Sequence, residues 1–137
     1  MSTSPTVAEI EAAREACAAL CRAYCAHADA GEADALANLY TPDGVFDRLG
    51  QLIAGREAIR KVIAGRPPGV WTRHVCSNIK IEIGAAGRSA GGRCDLQMQR
   101  GREGVAEVEH VRAEYSDRFV LTEAGWRFSL RKVALVS

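Results

Sequence analysis

The stretch VWTRHVCSNIKIEI at residues 70–83 is where the apolar pattern of this chain changes from helical to alternating, and that change decides the fold class. Ile79, Ile81 and Ile83 share one parity and Lys80 and Glu82 the other, as in a strand with one buried face. Further alternation predicts strands over 89–100, 105–121 and 125–136. In these, Cys94, Leu96 and Met98 share one apolar face, and Val111, Ala113, Tyr115 and Phe119 share another. His110 and Arg112 then fall on the outer side. In the last strand Trp126, Phe128 and Leu130 are expected to face the core, with Arg127 and Arg131 turned away.

Upstream of residue 70 the signal is helical. Thr6 followed by Glu9 fits a capping box, and Ile10, Cys17, Leu20, Cys21 and Tyr24 recur at helical spacing up to Gly31, a suitable stop. A shorter helix is predicted over 32–40, ended by the turn chemistry of Thr41, Pro42, Asp43 and Gly44. Segments 44–48 and 51–54 suit a small hairpin, 56–64 a helix between glycines, and the Pro67–Pro68 pair a loop. Helices followed by a strand meander predict an α+β domain, a curved antiparallel sheet wrapped around the N-terminal helices, instead of a parallel sheet of alternating units.

The length of 137 residues suits one domain spanning 1–137. Charged residues make up 26% with a net charge of +1, which gives no electrostatic footprint for nucleic acid or an anionic membrane surface. The N-terminal stretch lacks an apolar core behind a basic start, so a cytoplasmic protein with a loose first few residues is expected. Cys17, Cys21 and Cys25 recur every fourth residue on one helical stripe, the spacing of buried thiols and not of a compact zinc motif; no metal is expected.

The chemistry concentrates in YCAHADAGEADAL at 24–36 and WTRHVCSN at 71–78, which offer a phenol (Tyr24), a carboxylate (Asp29) and an imidazole (His74). A carboxylate that accepts from an imidazole fixes its tautomer, so Asp29 with His74 is the smallest unit for moving a proton near neutral pH. Parity raises an obstacle. On an unbroken strand His74 would lie opposite the isoleucines, so a bulge or bend around Cys76 to Asn78 is required to turn it inward.

The run DAGEADALANLYTPDGVF at 29–46, then GREAIRKVI, RHVCSN and YSDRFVLTEAGWRFSLR, resembles the SnoaL-like branch of the nuclear transport factor two-like superfamily over most of the chain. The resemblance implies a cone-shaped roll with an internal pocket and, from scytalone dehydratase and hexachlorocyclohexane dehydrochlorinase members, an Asp29–His74 dyad that eliminates water or HCl. The bile acid dehydratase group adds a tyrosine at the place of Tyr24. The implied protein is a cofactor-independent lyase acting on a small cyclic, hydrophobic or aromatic hydroxy compound; Met98 and Tyr115 on the inward strand faces, Trp71 three places before His74 and Asp47 near the end of segment 44–48 are the expected substrate-binding residues. A homodimer through the outer sheet face is expected.

Other readings start from the same residues. Asp47 resembles the general base of ketosteroid isomerases, with Tyr24 as the oxyanion donor, and polyketide cyclisation is a neighbouring chemistry. A non-catalytic binding module is the reading in which Asp29 caps a turn and His74 points outward.

Overall fold

The computed structural model describes residues 3–136. The first helix, α1 (Val7–Ala30), starts at the expected capping box: the Thr6 side chain accepts from the Glu9 N–H while the Glu9 side chain accepts from the Thr6 N–H. It stops at Gly31, whose left-handed φ of 69° suits a residue without Cβ. An added methyl there would also lie 2.9 Å from the Arg66 guanidinium. One face of α1, with Cys17, Leu20, Cys21, Tyr24, Cys25 and Ala28, is buried against the sheet.

After the short helix α2 (Ala33–Ala37) comes β1 (Tyr40–Arg48), then β2 (Gln51–Ala54) and helix α3 (Arg56–Ala64). The long strands β3 (Val70–Ile83), β4 (Ser89–Arg102), β5 (Val108–Thr122) and β6 (Gly125–Leu135) form the meander. The six-stranded sheet has the order β2-β1-β6-β5-β4-β3. The expected loose start falls partly on residues 1 and 2, outside the described residues; Pro5 packs against Gly87. Among the described residues no helix is long and apolar enough to cross a membrane.

Two expectations are corrected. The sheet is mixed, because the meander returns from β3 at one edge and brings β6 beside β1 in the parallel sense. The second helix ends at Ala37, and Thr41 to Gly44 do not terminate it: they form an irregularity inside β1, between the pairs Tyr40↔Phe128 and Val45↔Leu130. Tyr40 and Val45 pair with β6 on either side of these residues, and within the irregularity the Thr41 hydroxyl donates to Asp43 Oδ1 at 3.0 Å.

The required break in β3 is present. Ser77 pairs with Asp95 and Lys80 with Arg93, so Asn78 and Ile79 together oppose the single residue Cys94. This bulge reverses the facing: Val70 is buried and Thr72, His74 and Cys76 partly buried before it, whereas Ile79, Ile81 and Ile83 turn inward after it. Asn78 sits at the break with φ 51°, a left-handed conformation that asparagine tolerates and β-branched residues resist.

A second irregularity, in β6, was not anticipated. Arg118 pairs with Leu130 but Phe119 with Phe128, so the extra residue Ser129 reverses the facing between Phe128 and Arg131. Leu130 is only partly buried, and Arg131 is fully buried. The interior therefore holds an arginine where alternation predicted an outward one.

Asn78→Val should strain the β3 bulge and destabilise the fold by about 1–3 kcal/mol in urea unfolding, while Asn78→Gly stays near wild type. Equal stability of the two variants would show that the left-handed residue does not hold the bulge.

Candidate active site

Asp29 occupies the last turn of α1, where the helix dipole disfavours a negative charge by roughly 0.3–1 kcal/mol. Donors from β3 outweigh this. The backbone N–H of His74 lies 3.0 Å from Oδ1 and 2.9 Å from Oδ2, and the Thr72 hydroxyl donates to Oδ1 at 3.1 Å. Hydrogen bonds to a charged group contribute about 1.5–3 kcal/mol each. β3 is an edge strand, so the His74 N–H is free to point at the helix end and not at a further strand.

The ring of His74 completes the set, with Nδ1 2.6 Å from Asp29 Oδ1. The carboxylate being an acceptor, the proton between them is carried by Nδ1, and in the neutral ring Nε2 keeps its lone pair. The two side chains are 12% and 27% exposed, enough shielding to strengthen the contact and enough opening to exchange a proton. Arg66 steadies the helix end by donating to the Ala28 carbonyl at 3.1 Å, and it lies 3.4 Å from the Thr72 hydroxyl.

Met98 pairs directly with His74 across β3 and β4 and shares its inward face. Tyr24 and Tyr115 are both 3% exposed, with ring centroids 5.8 Å apart. Burial pushes both phenols above their usual range, so they remain neutral donors. Two sequence-predicted residues stand elsewhere. Trp71 has the outward parity and covers Gly101, where an added methyl would lie 2.5 Å from the indole. Asp47 accepts the Gly50 N–H at 2.9 Å in the exposed β1–β2 turn and pairs with the exposed Leu52, so it faces away from the interior.

Sequence reading missed the deepest polar group. The Arg131 guanidinium stacks 3.5 Å from the Tyr115 ring centroid and 4.3 Å from that of Tyr24, and its Nε lies 3.1 Å from Asp117 Oδ1. Both partners of this ion pair are buried. The contact is close but poorly aligned, since Asp117 Oδ1 and Arg131 Nε and Nη1 make no hydrogen bond. Burial pushes the Asp117 carboxyl up to about 6 against the opposing pull of Arg131. Only the β6 bulge reveals this arginine; a cation amid alternating apolar residues otherwise reads as solvent-facing.

The thiols also gather. Cys76, two places beyond His74 on the same face, lies against Cys25 and Cys94, and these neighbours together with Arg131 hold its thiol below the usual range. Cys21 Sγ, Cys94 Sγ and an Asp117 oxygen all lie within 4.8 Å of one another. The stripe on α1 was expected as packing alone, and the sheet supplies the partners.

Residues 9–132 match the SnoaL-like domain, and the chain belongs to that family. Among curated proteins none matches the sequence. An NTF2-like protein with a cystatin-like fold from Novosphingobium aromaticivorans is 28% identical, with a TM-score of 0.79 over 91% of this chain and 82% of the other. A candidate scytalone dehydratase from the same organism gives TM-score 0.87 at 20% identity, over 96% and 89%. Hexachlorocyclohexane dehydrochlorinase of type 3 from Novosphingobium barchaimii LL02 gives 0.84 at 17%, over 96% and 92%. At the identities of the last two, likeness shows the fold.

Arg131→Met leaves the Asp117 carboxylate buried without its cation and should lower the unfolding free energy by about 3–5 kcal/mol. Adding Asp117→Leu should recover most of that loss. A double variant as unstable as the sum of both single changes would show that the two residues are not coupled.

Proposed function

We propose that this SnoaL-like domain is a cofactor-independent lyase in which Asp29 and His74 carry out a β-elimination on a small cyclic or aromatic hydroxy compound. The observation that carries the reading is the 2.6 Å contact between Asp29 Oδ1 and His74 Nδ1 on a carboxylate already held by the His74 N–H and Thr72. A turn cap alone would not need the ring. The likeness to a candidate scytalone dehydratase and to dehydrochlorinases, both eliminating enzymes by name, agrees with it.

In this reading Nε2 of His74 removes a proton from the carbon beside an activating carbonyl or phenol, and the C–H electron pair moves into an enolate. Re-formation of the carbonyl drives that pair into a carbon–carbon double bond as the bond to the leaving hydroxyl breaks. The departing oxygen takes the proton back from the imidazolium and leaves as water, so His74 ends as it began. Asp29 offsets the imidazolium charge without taking the proton. A neutral phenol from Tyr24 or Tyr115 is suited to donate to the developing enolate oxygen. Met98 supplies apolar surface beside the base.

The isomerase reading is less favoured, since Asp47 stands in the β1–β2 turn with Oδ1 accepting the Gly50 N–H. A homodimer through the outer sheet face, on the side of His110 and Arg112, remains part of the proposal.

With cyclic β-hydroxy ketones as probes and conjugated-enone absorbance as readout, the wild-type chain should eliminate water. His74→Ala should lose about 10²–10⁴-fold in rate, and Asp29→Asn should also lose most turnover, both with unchanged circular dichroism. Ligand-induced stabilisation without turnover in the wild type would favour a binding module. Loss on Asp47→Asn with a silent His74→Ala would restore the isomerase reading.

A further inference from the structure

Behind the dyad, α1, β4 and β5 bring together Cys21, Cys94 and Asp117, and we propose that these three residues form a binding site for a soft divalent metal ion such as Zn²⁺ or Cd²⁺. The three donor atoms lie within 4.8 Å of one another, and Cys21 Sγ is 3.9 Å from Asp117 Oδ2. Zinc bonds of about 2.3 Å to sulfur and 2.0–2.2 Å to oxygen require tetrahedral edges of roughly 3.5–3.8 Å. The observed edge is within a few tenths of that. Cys21 and Cys94 are 1% exposed and Asp117 is 5% exposed, so the donors are held by the core and water does not compete freely.

Asp117 is oriented for the task. Its Oδ1 faces Arg131 Nε at 3.1 Å, which leaves Oδ2 directed at the Cys21 thiol. Arg131 stands there as a neighbouring charge and not as a hydrogen-bond donor to the carboxylate. Arg131 Nη2 also approaches Cys94 Sγ at 3.5 Å. A fixed guanidinium at this distance looks hostile to a cation until the charges are counted. Two thiolates and one carboxylate bring three negative charges, and Arg131 with a divalent ion brings three positive ones. With both thiols deprotonated the site is then neutral around a divalent ion, whereas a monovalent ion would leave it one negative charge in excess. With both thiolates formed, charge balance favours a divalent ion, and thiolate donors favour a soft one.

The thiol of Cys76 lies against Cys94 outside the three-donor cluster and is only partly buried, on the side of β3 where His74 stands. Lyase chemistry at Asp29 and His74 needs none of these groups, and the inference stands or falls independently of it.

The test is titration of the metal-stripped wild-type chain with Cd²⁺ and Zn²⁺. Thiolate-to-cadmium charge-transfer absorption, bound metal per chain and proton release are the readouts. One ion per chain at micromolar or tighter affinity, with release of protons from the thiols and a raised Tm, is expected. Cys94→Ser should weaken Cd²⁺ binding by more than about 100-fold, beyond the 10–100-fold typical of outer partners, and Asp117→Asn should weaken it measurably. Cys17→Ser, which alters the same stripe outside the site, should leave it unchanged. Absence of saturable binding in the wild type, or binding that Cys94→Ser and Asp117→Asn leave intact, overturns the proposal.

Discussion

The structure turns on one carboxylate joining the end of a helix to the edge of a sheet. Asp29 is placed where the helix dipole resists negative charge, and it is kept there by donors from Thr72 and His74 on β3. Those donors converge only because β3 is an edge strand and because its inner face, up to Cys76, has the parity of His74. The bulge at Asn78 and Ile79 then lets the same strand present isoleucines to the core farther along. One strand therefore serves a polar site at one end and hydrophobic packing at the other, and the extra residue reconciles them.

A second bulge does comparable work in the interior of the sheet. In β6 it reverses the facing after Phe128 and drives Arg131 into an aromatic surround of Tyr24, Tyr115 and Phe128. An isolated cation there would be prohibitively desolvated, and Asp117 with the aromatic faces offsets that cost. The interior is consequently polar in two places, the partly exposed Asp29–His74 dyad and the fully buried Arg131–Asp117 pair with its thiols.

Much of this was legible in the sequence where local signals agree with the fold. The capping box at Thr6 and Glu9, the stop at Gly31, the helix over 56–64 and the long strands follow from side chains that speak for their own conformation. The β3 bulge was legible indirectly, because His74 and the isoleucines could not face the same side without it. The parallel pairing of β1 with β6 depends on the path of the whole meander, and no residue in β1 announces it. Arg131 and Trp71 were misplaced for related reasons. Alternation holds only between bulges, and it says which residues share a face without saying which face is inside. Asp47 stands apart from the dyad because it belongs to a short hairpin turn, where one of its oxygens accepts the Gly50 N–H. The thiol cluster joins residues from helix and sheet that no spacing rule connects.

The account rests on His74 being held as the Nδ1–H tautomer, with Nε2 free to act as base. Its most direct test is ¹⁵N NMR of the histidine rings at a pH where His74 is neutral, with Asp29→Asn for assignment. The account predicts a protonated Nδ1 with a strongly deshielded proton shared with Asp29, and a bare Nε2. A His74 ring protonated on Nε2, or one averaging between tautomers as a free imidazole does, would contradict it.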